Sequence, residues 1–301
     1  MRRMPPRLAL TLAAALGVLV APTIQANALA QPADQVENAH ARALEILARH
    51  VEAIGGEKAI RSHTDITTTG RLIVPSAGLE GTITTHAKAP DKILTNVDLP
   101  GYGVSMTGYD GKTAWMVDPG VGALIMEDEQ RDAFVRSSRL DAELRIEKDY
   151  PTIKYVGEDK IDDQPVDAIL LVDKNGREST HYFSKETGLR VAISTLEPTQ
   201  FGDMPVRYVF SDYKDFDGLK QATKTDQHIG PQTITITIDS VTFDPIPDET
   251  LAPPETIQVL VKQQADGSDD EADDNSNGAD DDDGDADDDD GDDGDDDDDD
   301  D

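Results

Sequence analysis

The sequence predicts a mainly β (α+β) fold, in which a curved antiparallel sheet packs against one long amphipathic helix. Two observations support this prediction. Apolar residues recur at helical spacing before Asp65 and alternate with polar residues after it. Residue pairs typical of tight turns separate many of the alternating segments, as in a meander of antiparallel strands.

The first thirty residues have the pattern of a secretory signal peptide. Three arginines precede an apolar run from Leu8 to Val20, and small-x-small sites follow that end at Ala28 and Ala30. The run is shorter than the roughly 20 residues that span a bilayer, which favours a cleaved signal over a retained anchor. Gln31 stands where a bacterial lipoprotein would carry its lipidated Cys. We therefore expect an exported, periplasmic protein that is not itself lipidated.

One long amphipathic helix is predicted for residues 34–54. Asp34 has the position of an N-cap, with Glu37 three residues later as in a capping box. Gly55-Gly56 follows and can supply a left-handed C-cap. The helix would be about 30 Å long, enough to cover one face of a small sheet. Its apolar stripe consists of Val36, Ala43, Leu44, Leu47, Val51 and Ile54.

Thirteen strands are predicted from Asp65 onward. Pairs such as Asn175-Gly176 and Asp217-Gly218 suit tight hairpin turns. In the last strand, isoleucines alternate with threonines up to Ile238, and the apolar phase then shifts, which indicates a β-bulge near Asp239. The predicted strands are 65–75, 79–88, 91–99, 102–109, 113–118, 122–126, 152–158, 164–173, 178–184, 189–197, 204–213, 219–228 and 232–243.

A second helix with a weak apolar stripe is predicted for residues 128–147. Its stripe suits a segment that lies over a sheet or cavity. Four prolines between Pro245 and Pro254 are expected to end the fold. The predicted organisation is therefore a signal peptide at 1–30, one domain at 31–262, and a disordered Asp-rich tail at 263–301, because the tail has too few apolar residues to fold.

The net charge of −35 comes largely from the tail. Of the 62 acidic residues, 24 lie after residue 265, where there is no Lys or Arg. The preceding chain has 38 acidic and 27 basic residues, and no basic patch stands out in it. Nucleic acid is therefore not an expected partner, because phosphate binding needs clustered Lys and Arg. The absence of Cys excludes disulfides, thiolate zinc sites and cysteine nucleophiles.

No catalytic pattern stands out in the sequence. It contains no P-loop, no G-x-G-x-x-G, no G-x-S-x-G and no H-E-x-x-H. The six histidines are scattered without the spacing of metal ligands. We therefore predict a protein that is not an enzyme and needs no cofactor.

One stretch of the tail matches the first half of a calcium-binding loop. Asp273-Asp274-Asn275-Ser276-Asn277-Gly278 fits that pattern, but the twelfth position is Gly284 where a bidentate Glu is needed. We therefore expect no specific metal site. Loose cation association at Asp273, Asn275 and Asn277 is expected on Coulomb grounds.

Several motifs resemble the LolA-like superfamily of periplasmic lipoprotein carriers and the outer-membrane lipoprotein-sorting proteins. Lys88-Ala89-Pro90-Asp91-Lys92 is similar to their K-R-P strand end. Asp110-Gly111-Lys112 with Trp115, followed by Asp118-Pro119, is similar to their D-G-K-x-x-W motif and the closing D-P. The resemblance covers residues 35–250. Further matching segments are 155–158, 182–189, 210–213 and 217–218.

The resemblance implies an unclosed antiparallel barrel with a helical lid, whose apolar concave side holds acyl chains. Ala89 departs from the pattern, because the carriers have there an Arg that helps to latch the lid. The cavity candidates share the apolar register of their strands or lie in the second helix, and for Trp115 plain core packing remains the alternative. They are Leu72, Val74, Ile83, Val97, Met106, Trp115, Phe134 and Leu140.

The resulting hypothesis is a non-catalytic periplasmic carrier for a lipid or for the acyl chains of lipoproteins. A membrane-anchored partner protein is compatible with that function. Two alternatives stay open at this point. The chain could be an exported surface protein that associates with calcium through its tail, or an accessory domain of an exported hydrolase system.

Overall fold

The computed structural model describes residues 33–199 and 202–273. The predicted signal peptide and the predicted cation positions Asn275 and Asn277 lie outside the described residues, as does the rest of the tail beyond Asp273. No helix in the described part of the chain is both long and apolar enough to cross a membrane.

Thirteen strands form one antiparallel, unclosed sheet, which confirms the predicted fold class. Every predicted strand is present, with its ends within three residues of the prediction. The strands are β1 Asp65–Val74, β2 Leu79–Lys88, β3 Lys92–Leu99, β4 Gly103–Tyr109, β5 Ala114–Asp118, β6 Gly122–Met126, β7 Thr152–Ile161, β8 Gln164–Val172, β9 Glu178–Ser184, β10 Arg190–Thr199, β11 Gly202–Phe216, β12 Leu219–Ile229 and β13 Gln232–Thr242.

The first and the last strand of the chain are neighbours in the middle of the sheet. Its strand order is β6-β5-β4-β3-β2-β1-β13-β12-β11-β10-β9-β8-β7, so the last strand pairs with the first. Thr69 pairs with Ser240 and Gly70 with Ile238, which leaves Asp239 as an extra residue and confirms the predicted bulge. In this order β6 and β7 are the two edges of the sheet. The chain between them, residues 127–151, passes from one edge to the other and is here called the crossover.

In the described part of the chain five helices accompany the sheet: α1 Ala33–Ala53, α2 Gly56–Ser62, α3 Asp128–Ser138, α4 Ile146–Asp149 and α5 Glu255–Asp273. The first confirms the predicted long helix to within one residue. After it Gly55 has φ 123°, and a Cβ there would lie 2.1 Å from the carbonyl oxygen of Gly218. A new helix, α2, begins directly after this break, although no continuation was predicted.

The prediction of one helix over 128–147 is wrong. Helix α3 ends at Ser138 because Arg139 is extended (φ −70°, ψ 136°), and a 3-10 turn at Ala142–Leu144 leads into α4. The apolar residues of this crossover also pack in different places. Phe134 packs against the apolar cluster that contains Tyr109 of β4 and Ala114 of β5. Leu140 and Leu144 pack instead against Ile54 and Ile60.

Cross-strand partners share a face of a sheet, so the registers define two faces. The inner face is the one that helices α1 to α4 cover: Phe183 of β9 packs against α1, Ile66 of β1 against α2, and Tyr109 of β4 against α3. The outer face is the opposite one. On β1, β2 and β3 the outer face is mostly threonine and charged residues, as the predicted alternation requires.

Residues 244–260, here called the C-terminal strap, pack on the outer face. Ile246, Leu251 and Ile257 are buried there against Leu94 and Trp115. The expectation that the prolines end the fold is therefore wrong, because the chain continues as packed structure beyond them. Residues 261–273 belong to a unit separate from the preceding chain. Helix α5 continues in it to Asp273, whereas no structure was expected from residue 263 onward.

Candidate functional site

Six of the eight predicted cavity residues lie on the inner side of the sheet. Ile83 of β2 pairs with Gly70 of β1 and with Val97 of β3, which places Ile83 and Val97 on the same face as Gly70. Leu72 and Val74 follow Gly70 at alternate positions of β1 and share that face. The remaining two, Phe134 and Leu140, belong to the crossover that covers the inner face.

Met106 and Trp115 lie on the outer face, so the expectation that they share a surface with Ile83 and Val97 is wrong. Val97 pairs with Ser105, and Met106, the next residue, points to the opposite side. Trp115 is fully buried beneath the C-terminal strap. Strands β4 and β5 are covered on both faces and therefore carry apolar residues in both registers, which is why apolar phase alone assigned them to the wrong side.

Six apolar side chains form a band along the inner face, here called the inner apolar strip. The strip consists of half-buried residues on four adjacent strands, none of which belongs to the buried core. Ile236 of β13 pairs with Leu72 on one side and with Thr225 on the other, so the strip is continuous across the middle of the sheet. Its members are Leu72, Ile83, Val97, Ile234, Ile236 and Ile238.

A cavity of about 570 Å³ adjoins the strip between the crossover and strands β9 to β12. Phe134, Ile193 and Phe210 contribute apolar surface, and Thr225 connects this cavity to Ile236 of the strip. Many of the other lining side chains are charged, and no charged cavity was predicted from the sequence. The charged residues are Arg136, Glu143, Asp149, Asp173, Arg177, Glu178, Arg190 and Glu197. We call this cavity the charged cavity.

Four buried titratable groups form one wall of the charged cavity and its surroundings. Arg190 of β10 binds Glu143 of the crossover, with Nη2 and Oε1 2.6 Å apart. His50 of α1 lies with Nε2 3.6 Å from the other carboxylate oxygen. His181 is buried nearby and its Nε2 lies 3.2 Å from Oγ of Ser179.

Burial dominates the electrostatics of this group. Desolvation lowers the pKa of His50 to about 4 and that of His181 to about 3. Burial alone would raise the pKa of Glu143, but Arg190 and the two histidines hold it below its ordinary value. At neutral pH the group is therefore one ion pair with two neutral histidines.

A second polar group lies further along β10. Glu197 accepts a hydrogen bond from the Tyr208 hydroxyl at 3.4 Å, and the Gln227 amide donates to that hydroxyl at 3.5 Å. Burial raises the pKa of Glu197, partly offset by the Tyr208 hydrogen bond. All three residues project from the inner face of consecutive strands, and Glu197 and Tyr208 line the charged cavity.

The motifs behind the family resemblance have clear structural roles. Lys88 donates to the carbonyl of Ile246 at 2.8 Å and to Asp248 at 2.9 Å, so it attaches the C-terminal strap. Asp110 accepts hydrogen bonds from the backbone of Lys112 and Thr113 and closes the turn before Trp115. These residues hold the fold together and do not line the charged cavity.

Among the described residues, no group of three or more His, Cys, Asp or Glu side chains is arranged to hold a metal ion.

No family model matches the chain, and no curated protein matches its sequence. The structure is similar to a DUF1329 family protein from Desulfovibrio piger, with a TM-score of 0.50 and 12% identity over 72% of this chain and 97% of that one. It is also similar to a LolA superfamily protein from Nitrosomonas europaea, with a TM-score of 0.49 and 12% identity over 70% and 97% of the two chains.

A third similar structure is an outer membrane lipoprotein-sorting protein domain from Vibrio parahaemolyticus, with a TM-score of 0.44 and 12% identity over 71% of this chain and 95% of that one. At such identities the likeness is one of fold. The chain has the unclosed antiparallel sheet with helices that its motifs implied, and it shares this fold with the DUF1329 family protein.

Proposed function

We propose that the chain is a non-catalytic exported carrier, which holds a lipid or the acyl chains of a lipoprotein against the inner face of its sheet. The observation that carries the proposal is the inner apolar strip. Its six large side chains are half-buried on one continuous surface and belong to none of the buried apolar clusters of the domain. The predicted signal peptide supports the location, and the motifs that resemble those of LolA-like carriers support the class of protein.

The physical gain from an acyl chain is sufficient for binding without any catalytic group. Each CH₂ that moves from water to an apolar surface contributes roughly 0.8 kcal/mol. Burial of ten such groups would correspond to about 8 kcal/mol, which is of the order of a micromolar dissociation constant. The strip and the adjoining cavity offer both the apolar surface and the volume for such a chain.

Binding of a fluorescent fatty acid to the mature protein tests the proposal. Ile83→Asp places a charge in the inner apolar strip, and we expect the protein to fold but to lose probe binding, because the half-buried site leaves the carboxylate access to water. Thr84→Asp is the matched control. It adds the same charge one residue along β2, at a half-buried position on the outer face, and should bind the probe as the wild type does.

Circular dichroism and urea denaturation establish that both variants are folded. The carrier proposal fails if the wild type binds no fatty acid probe. It also fails if Ile83→Asp unfolds the domain while Thr84→Asp does not, because that result would mean that the strip is part of a closed core.

A further inference from the structure

We propose that the charged cavity is a binding site for an ammonium group, with the carboxylate of Glu197 as its counter-ion. The inference deepens the carrier proposal and rests on it, because it assigns the chemistry of the polar end of the bound molecule. The ligand class is an amphiphile whose headgroup carries a primary or quaternary amine.

The first argument is that Glu197 lacks the directly contacting cation that the other buried carboxylates of this cavity have. Glu143 is bound to Arg190, and Asp173 is bound to Arg136 at 2.7 Å. Asp149 lies 3.4 Å from Arg139 and 3.5 Å from Arg145. Within residues 33–199 and 202–273, Glu197 has no cation at ion-pair distance: it accepts a hydrogen bond from the Tyr208 hydroxyl, and Arg136 and Arg177 act on it only from a longer distance.

The cations that line the same cavity are not free to pair with Glu197. Arg136 is held by Asp173, and Arg177 is bound by Glu129 at 2.6 Å and by Asp203 at 2.9 Å. A largely buried carboxylate without a cation is unfavourable, because burial removes water from the charged form. A positively charged ligand group would relieve that cost.

The second argument is the chemistry of the surrounding wall. The ring of Tyr208 lies beside the site and is stacked on Phe210, with centroids 6.4 Å apart and planes at 11°, and the Arg190 guanidinium lies over the Phe210 ring at 5.6 Å. Aromatic faces attract cations, and quaternary ammonium groups are commonly bound in this way. The ring of Tyr150 also lines the cavity, and the Arg136 guanidinium already lies over it at 5.2 Å, so Tyr208 is the ring that we assign to the ligand. The Glu197 carboxylate together with the Tyr208 ring favours an ammonium group over an anionic or uncharged one.

The third argument is continuity with the apolar strip. Phe210 pairs with Thr225, and Thr225 pairs with Ile236 of the strip, so the inner face leads from the aromatic wall directly to the strip. A molecule that lies with its ammonium group at Glu197 can therefore extend an acyl chain over Ile236 and Leu72. This arrangement places the polar and apolar parts of one amphiphile on one continuous surface.

Calorimetric titration with two lysolipids of the same acyl chain tests the inference. We expect the wild type to bind lysophosphatidylethanolamine at least about tenfold more tightly than lysophosphatidylglycerol, since only the first carries an ammonium group. In Glu197→Gln that preference should disappear, while the affinity for lysophosphatidylglycerol does not fall. Soluble glycerophosphoethanolamine serves as a third probe and separates a free amine ligand from a lipid headgroup.

Glu178→Gln is the matched control, because it removes one negative charge from an exposed residue at the rim of the same cavity. It should keep the preference, which separates a specific contact from the general acidity of the domain. Equal binding of the two lysolipids by the wild type, or a preference that survives in Glu197→Gln, would overturn the inference and leave the carrier proposal intact.

Absence of binding by both lysolipids would count against the carrier proposal. The ammonium site would then be judged by glycerophosphoethanolamine alone. Binding to the wild type but not to Glu197→Gln would support the site, and absence of binding to the wild type would refute it.

Discussion

The carboxylate of Glu143 lies 2.6 Å from Nη2 of Arg190, and this ion pair joins the helical crossover to strand β10. Both side chains are largely buried, and each is about one fifth exposed. The crossover is the only described segment that passes from edge strand β6 to edge strand β7. The pair therefore attaches the crossover to β10, one of the strands that the crossover covers.

Removal of one partner of this pair should destabilise the domain. In Glu143→Gln the guanidinium of Arg190 stays buried without a countercharge, so we expect a loss of about 3 kcal/mol in the free energy of unfolding, measured by urea denaturation. Glu147→Gln in the same crossover is the control. Glu147 is exposed, and its replacement should change stability by no more than about 0.5 kcal/mol. A loss below about 1 kcal/mol for Glu143→Gln would contradict the structural role given to the pair.

The two buried histidines predict a loss of stability in acid. The pKa of His50 is lowered to about 4 and that of His181 to about 3, mainly by burial. Glu143 opposes this shift in both histidines, and Arg190 adds to it. Below pH 6.5 the unfolded chain therefore binds protons at these positions that the folded domain does not bind.

The contribution of these histidines to stability is complete above pH 6.5 and is lost as the pH falls toward 4 and 3. Each should cost roughly 1.4 kcal/mol per pH unit in that window. Urea denaturation between pH 7.5 and 4.5 measures the slope, which should flatten in His181→Gln. His40→Gln, at an exposed histidine of α1, is the control and should retain the wild-type slope. Parallel slopes for wild type and His181→Gln would refute this account.

The strands and the bulge could be predicted from the sequence because they are local patterns. Alternation of Ile234, Ile236 and Ile238 with threonines, and its phase shift at Asp239, follow from backbone geometry and burial on one face. The long helix was equally local. The unclosed form of the sheet followed from no local pattern and was implied by the resemblance to LolA-like proteins.

The face of Trp115 and the charged cavity could not be predicted in the same way. Alternation tells that Trp115 and Met116 point in opposite directions, but not which of them meets the inner face, because the C-terminal strap and α3 cover both sides. The pairing of Glu143 with Arg190 joins residues 47 positions apart through the crossover, and no local pattern marks it. The weak apolar stripe of residues 128–147 was the one sequence feature that indicated a cavity, because a segment that lies over a cavity needs few apolar residues.

Gly108 and Trp115 are cross-strand partners on the outer face, and their contact gives the last prediction. A Cβ added at Gly108 would lie 2.6 Å from Cζ2 of the indole, and the indole has little room to move because Leu251 and Ile257 cover it. Gly108→Ala should therefore cost about 1–3 kcal/mol of stability through overpacking. In a Trp115→Leu background the clash is absent, so the same substitution should cost less there. A double-mutant cycle, measured by urea denaturation with circular dichroism, detects the difference. Equal costs in the two backgrounds would mean that the indole does not lie over Gly108.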